Sequence, residues 1–147
     1  ARGSLGMLEN VRGLHVVSVA ALITRGNRIL AMRRAPSNLA GPGLWETLSG
    51  RVEQGEEPRA AVEREIGEEC GLEVELETRP FDAYAATRRG HPMIVILYRG
   101  RYLAGDVVRS HEHDDHAWLT AEEFAQRSTL VPLVNVVRRA LGDMHEH

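Results

Sequence analysis

The chain has 147 residues, 43% of them hydrophobic and 27% charged, which suits one soluble globular domain with a real core and requires no second. A formal net charge of −3 excludes the basic face that a general nucleic-acid binder needs. The lone Cys70 excludes an internal disulfide and fits a reducing cytoplasm, and no apolar run has the length of a membrane span or the pattern of a signal peptide.

In chain order, Ala1-Arg2-Gly3-Ser4 reads as a cloning remnant within an N-terminal extension of residues 1–13. A single domain is expected over 14–141, followed by a tail at 142–147. His15 to Ile23 predicts a strand, Arg25-Gly26-Asn27 a turn and Arg28 to Met32 a second strand, so a hairpin opens the fold. Ser37 to Gly43 predicts a loop and Trp45 to Leu48 a short strand. Further strands are expected over Glu73 to Leu76, Phe81 to Thr87 and Met93 to Tyr102. The last is the strongest, its run Ile94-Val95-Ile96-Leu97-Tyr98 marking a central strand covered on both faces. Ser110 to Asp115 predicts a polar loop and Ala117 to Leu119 a short strand, while Thr120-Ala121-Glu122-Glu123 has capping-box spacing and opens a helix to about Arg127. A final helix runs from near Pro132 to Leu141, with Gly142 as its stop. Strands interleaved with helices imply an α/β sandwich.

The stretch from Gly50 to Leu72 carries the chemistry. Pro58 suits a first helical turn, Glu56 and Glu57 lie at its positive end, and Gly71 is placed to stop it, so a helix is expected over about 57–70. Val62, Ile66 and Cys70 form its apolar stripe, which makes Cys70 a buried apolar residue and not a nucleophile. Glu65, Glu68 and Glu69 stand at i, i+3 and i+4 and share a face. Like charges so spaced cost a helix a few tenths of a kcal/mol per pair, and a hard divalent cation removes the conflict. A solvated acidic face is the competing reading.

With Gly50, Glu56, Arg64, Glu65, Ile66, Glu68, Glu69, Gly71 and Leu72 all in place, the segment resembles the Nudix box, the signature of hydrolases that cleave nucleoside diphosphates linked to another group. The resemblance is of the MutT-like kind and extends more loosely over about residues 14–141. One departure is Leu48-Ser49-Gly50, where the box often follows Pro-Gly-Gly; it is expected to alter loop shape and not chemistry. The resemblance implies an α/β/α sandwich around a mixed, curved β-sheet, magnesium with manganese as a substitute, and a small nucleotide substrate for a monomer or homodimer. It further implies that Glu65, Glu68 and Glu69 ligate metal, that a Gly50 carbonyl adds a ligand, and that Glu56 and Arg64 orient Glu65. Glu65 and Glu112 are the candidate bases, and Glu112 is also a candidate ligand.

Arg33, Arg34, Arg88 and Arg89 end apolar strands where they can meet substrate phosphates, although surface solubility explains any one of them as well. Trp45 and Tyr84 can stack on a base, with core packing the commoner role for a tryptophan that opens a strand. His111, His113 and His116 are expected to be solvated and not to hold zinc. The favoured reaction is hydrolysis of a nucleoside or deoxynucleoside triphosphate to a monophosphate and pyrophosphate. The alternatives are a hydrolase of ADP-ribose or another nucleotide-sugar, and a Nudix-fold module that binds a nucleotide without turnover; complete box glutamates weigh against the latter. An isopentenyl-diphosphate isomerase relative would need a cysteine elsewhere than Cys70.

Overall fold

A computed structural model describes residues 13–39 and 41–142. Residues 1–12 of the expected extension, Ala40 of the expected loop and residues 143–147 of the expected tail lie outside the described part. The elements are β1 (Val16–Arg25), β2 (Arg28–Arg34), β3 (Trp45–Glu46), β4 (Ser49–Arg51), α1 (Pro58–Glu69), β5 (Glu73–Leu76), β6 (Asp82–Arg88), β7 (His91–Ala104), β8 (His113–Leu119), α2 (Ala121–Arg127) and α3 (Val131–Gly142).

The sheet is mixed and open, with a spine in the order β3-β2-β1-β7-β5. β1 and β7 run parallel from Val16↔Met93 to Thr24↔Arg101, and the other pairings are antiparallel. Period-2 alternation sends the side chains of β1 to two separate cores. Ala20 and Leu22 pack with Phe124 of α2 and Val137 and Leu141 of α3. Val19, Ala21 and Ile23 pack with Val62 and Ile66 of α1 and with Cys70, which caps its C-terminus. Helices therefore cover both faces of the sheet, as an α/β/α sandwich requires. β7 is central, as its apolar run predicts.

The spacing of Val62, Ile66 and Cys70 fixes how α1 docks, because all three are buried against the sheet. Each large apolar side chain so buried contributes about 1.5–3 kcal/mol, and Ile66→Ala would cost about 2–5 kcal/mol. Gly71 ends the helix with φ +69°, as its position predicts. Thr120 and Glu123 form the expected capping box on α2.

Two strand expectations need correction. Trp45 to Leu48 is not one strand: Trp45 and Glu46 pair with β2, after which the chain crosses to pair Ser49–Arg51 with β1. Leu48, fully buried at the crossing, drives it by entering the core beneath α1. The polar segment before Trp118 is also not wholly loop, since β8 begins at His113 and pairs with β2 through a register shift at Arg33/Arg34. Its polar residues are compatible with a strand because Asp114 is exposed, whereas His113 finds buried carboxylate partners.

Candidate active site

α1 turns Glu65, Glu68 and Glu69 toward a cavity of about 270 Å³ that Gly50 and Glu112 also line. The helix buries Glu65 and Glu69 and leaves Glu68 at the mouth. β4 passes so close to Glu65 that a methyl group on Gly50 would overlap Glu65 Cδ and Oε1. The Gly50 carbonyl accepts a hydrogen bond from Ser18 Oγ at 2.9 Å, and Gly50 pairs with Val19 in the ladder between β4 and β1.

Arg64 links the box internally. Its Nε and Nη2 donate to the two oxygens of Glu56 at 2.9 and 3.0 Å, its Nη1 donates to Glu65 Oε1 at 2.7 Å and to Glu68 Oε2 at 3.3 Å, and Nη2 also reaches the Arg51 carbonyl. The Arg64 guanidinium holds Glu56 down to about pKa 2. Burial pushes Glu65 up, with Arg64 opposing.

Glu69 is held from the opposite side. Ser110 Oγ donates to its Oε2 at 2.6 Å, and His113 Nδ1 lies 3.4 Å from the same oxygen. That Nδ1 is within ion-pair range but too poorly aligned for a hydrogen bond, so it is buried without a hydrogen-bond partner. The other ring nitrogen, Nε2, lies 3.0 Å from Glu46 Oε2, and Glu46 Oε1 accepts from Arg34 Nη2 at 2.9 Å. Burial would lower the His113 pKa, but the flanking carboxylates outweigh it and push it up to about 9. For Glu46 and Glu69, burial acts to raise the pKa, and contact with His113, aided by Arg34 or Ser110, leaves each lowered.

The structure thus brings together Glu65, Glu68, Glu69, Gly50, Glu112, Arg34 and Arg88 around one cavity. Glu56 and Arg64 support it from behind. Arg89 does not line this cavity; it lines a neighbouring one of about 650 Å³ that also contains Arg51, His91 and His111, and the smaller pocket that holds Tyr84. Arg33 does not belong to the site: its Nε binds Asp114 Oδ1 at 2.8 Å and its guanidinium stands 6.0 Å from the Trp45 ring. Trp45 packs against the core under α2 and α3, whereas Tyr84 lines a third cavity of about 220 Å³. Burial raises the Tyr84 phenol to about 12.

The three histidines do not converge. His116 contacts Arg109, His111 faces the outer cavity, and His113 is buried, against the expectation of a solvated residue. Sequence reading passed over Glu46, although a carboxylate inside Leu44-Trp45-Glu46-Thr47-Leu48 is a signal, because a charge in an apolar strand needs a partner. Ser110 gave no comparable signal.

A family model described as "NUDIX domain" matches residues 14–139. The chain belongs to the Nudix family. It is 32% identical over 146 residues to the candidate 8-oxo-dGTP diphosphatase 2 of Mycobacterium tuberculosis (strain ATCC 25618 / H37Rv), covering 90% of this chain and 97% of that one. It is 32% identical over 111 residues to the CTP pyrophosphohydrolase of Escherichia coli (strain K12), covering 74% and 78%. The crystal structure of a MutT protein from Methanosarcina mazei Go1 superposes with a TM-score of 0.77 at 25% identity, covering 88% of this chain and 94% of that one. The protein is accordingly a Nudix hydrolase acting on nucleotide pyrophosphate linkages, a class that generally uses divalent metal ions. No helix among the described residues is long and apolar enough to cross a membrane.

The donor chemistry of this Nudix site fits a hard divalent ion, since every candidate ligand is an oxygen. Glu65 Oε2, Glu69 Oε1 and the Glu112 carboxylate receive no hydrogen bond from the described residues. Among those residues no three Asp, Glu, His or Cys side chains yet converge on one point. Glu65 and Glu68 are drawn to Arg64, and Glu69 to Ser110 and His113.

Proposed function

We propose that this Nudix hydrolase cleaves a nucleoside or deoxynucleoside triphosphate to a monophosphate and pyrophosphate in the presence of magnesium, with manganese able to substitute. The observation that carries this reading is the junction of two unlike cavities. The acidic cavity adjoins the smaller apolar pocket, and both are lined by Arg34, Glu46, Ser49 and Arg88. Tyr84, Met93, Val95 and Leu133 give that pocket an apolar body suited to a flat base. At about 220 Å³ it is smaller than the roughly 300–1,000 Å³ of a drug-sized site, and it suits a single base. The two relatives described above both act on triphosphates by name, one carrying a purine and the other a pyrimidine, while others at about 30% identity are named for NAD-capped RNA.

When bound, divalent ions would neutralise the phosphate oxygens and lower the barrier to attack by water. Glu65, Glu68 and Glu69 would hold them, with Gly50 and Glu112 available as further oxygen donors. Arg34 and Arg88 face the junction, where they can orient the phosphate chain. Glu112 takes the proton from water: its carboxylate is unengaged among the described residues, whereas Glu65 is tied to Arg64. The water oxygen bonds to phosphorus, the bridging P–O bond breaks, and pyrophosphate leaves with that bond's electron pair.

A second reading has its own support. The outer cavity, lined by Arg51, Arg88, Arg89, His91 and His111, has room beyond a triphosphate and favours an ADP-ribose or nucleotide-sugar substrate. A panel of triphosphates and nucleotide-sugars with magnesium in ¹⁸O-labelled water separates the two. The triphosphate reading expects ¹⁸O in one product only; it fails if a nucleotide-sugar shows about ten times the kcat/KM of every triphosphate, a gap of about 1.4 kcal/mol.

A further inference from the structure

His113 opens β8, Glu46 ends β3 and Glu69 ends α1, so one imidazole joins three elements that are distant in sequence. Its side chain is 1% exposed, with Nε2 at 3.0 Å from Glu46 Oε2 and Nδ1 at 3.4 Å from Glu69 Oε2. The two carboxylates share one cavity, and only Glu46 reaches a second. Glu69 lines the acidic one, whereas Glu46 lines both that cavity and the apolar pocket.

The contacts on Glu69 are one-sided. Ser110 Oγ and His113 Nδ1 both address Oε2, which leaves Oε1 without a partner among the described residues. Arg34 similarly anchors Glu46 through Oε1 while the imidazole takes Oε2. The register shift between Arg33 and Arg34, opposite the start of β8, marks the irregularity that brings His113 inward. Stability alone does not require such a cluster, because a buried charged network can often be replaced by apolar side chains without loss.

We propose that His113 is a positioning residue: its ring fixes Glu69, so that one carboxylate oxygen is presented to the metal, and ties that orientation to Glu46 at the base pocket. The inference rests on the metal-dependent reading above and extends it to a side chain outside the Nudix box. Arg64 restrains Glu65 and Glu68, and His113 with Ser110 restrains the remaining box glutamate. Neither nitrogen of His113 acts on substrate in this account.

Two substitutions separate the arms of the ring, since an asparagine amide nitrogen approximates Nδ1 and a glutamine amide nitrogen approximates Nε2. The protein is stripped of metal and titrated with Mn²⁺ alone, free Mn²⁺ being read by electron paramagnetic resonance, with Tm followed for each variant. His113→Gln, which loses the Glu69 arm, is expected to weaken Mn²⁺ binding about tenfold or more, while His113→Asn stays within about twofold of wild type. In steady state His113→Gln should lower kcat more than it raises KM, and His113→Asn should do the reverse. Wild-type Mn²⁺ affinity in both variants overturns the proposal, as does an equal loss of Tm and affinity in both, which would mark a merely structural role. Should neither variant fold, nitrogen NMR of the wild-type ring decides: Mg²⁺ without nucleotide must shift the His113 Nδ1 resonance, and an unmoved resonance overturns the proposal. A wild-type chain that binds no Mn²⁺ instead refutes the metal-dependent reading, and this proposal with it.

Discussion

Glu65 fills the space where a side chain on Gly50 would stand: a methyl group there would lie 2.6 Å from Glu65 Cγ and closer still to its carboxylate. The glycine of the Nudix box is therefore needed here for close approach. Gly50→Ala should push Glu65 off its bond to Arg64 and lower kcat about a hundredfold, on the scale of losing an electrostatic stabiliser. Steady-state kinetics with Mg²⁺ test this, and a folded Gly50→Ala protein with near-normal kcat would show that Glu65 needs no such placement.

Arg64→Lys keeps the charge and removes the fork. One ammonium cannot reproduce two bonds to Glu56 together with one to Glu65. We expect kcat to fall about 10–100-fold, while stability changes by about 1 kcal/mol or less because the pair is partly solvated. Comparing urea midpoints with kcat checks the split, and equal fractional losses in both would contradict it.

Glu112→Gln should slow the chemical step more than it weakens binding, because a base acts mainly in the transition state. Its exposed position at the cavity mouth leaves packing undisturbed. Single-turnover and steady-state rates across pH 6 to 9 are the test. An unchanged kcat throughout would transfer the role to Glu65.

Stability of the metal-free protein should depend on pH through His113. Its folded pKa of about 9 exceeds the ordinary 6.5, so its contribution is fully present below pH 6.5 and is lost as pH rises through 9. Glu46 and Glu69 are lowered instead, so their contributions are lost only on acidification and leave this window to the histidine. The loss should be on the order of 1–3 kcal/mol. Urea midpoints at either end of the window, with chelator present, measure it, and a flat profile would mean His113 is not held as described.

Arg89 has φ +52° in the turn between β6 and β7, a conformation that costs most residues bearing Cβ about 1–2 kcal/mol and that asparagine tolerates better. Arg89→Asn should therefore raise Tm. If the guanidinium also meets substrate phosphate, KM should rise in the same variant. A raised Tm with unchanged KM would remove Arg89 from the site.

The fold and the box were legible where one period dominates. The stripe of Val62, Ile66 and Cys70 gave both the helix and its buried face, and the apolar run from Ile94 to Tyr98 gave the central strand. Legibility failed where polar residues turn inward. Glu46 and His113 are buried only because they meet one another and Glu69, a relation set by strand pairing and invisible to local pattern. Arg33 and Arg34 looked equivalent in sequence, yet alternation across an irregular strand sends one to Asp114 and the other to Glu46.

The most direct measurement is turnover of nucleoside triphosphates by wild-type protein and Glu68→Gln, with and without Mg²⁺, alongside a Tm for each. The account predicts monophosphate and pyrophosphate from wild type only when the metal is present, and a loss of about a hundredfold or more in Glu68→Gln at unchanged Tm. Turnover by wild type in chelator, or near-normal turnover by a folded Glu68→Gln protein, would contradict a metal-dependent site on α1.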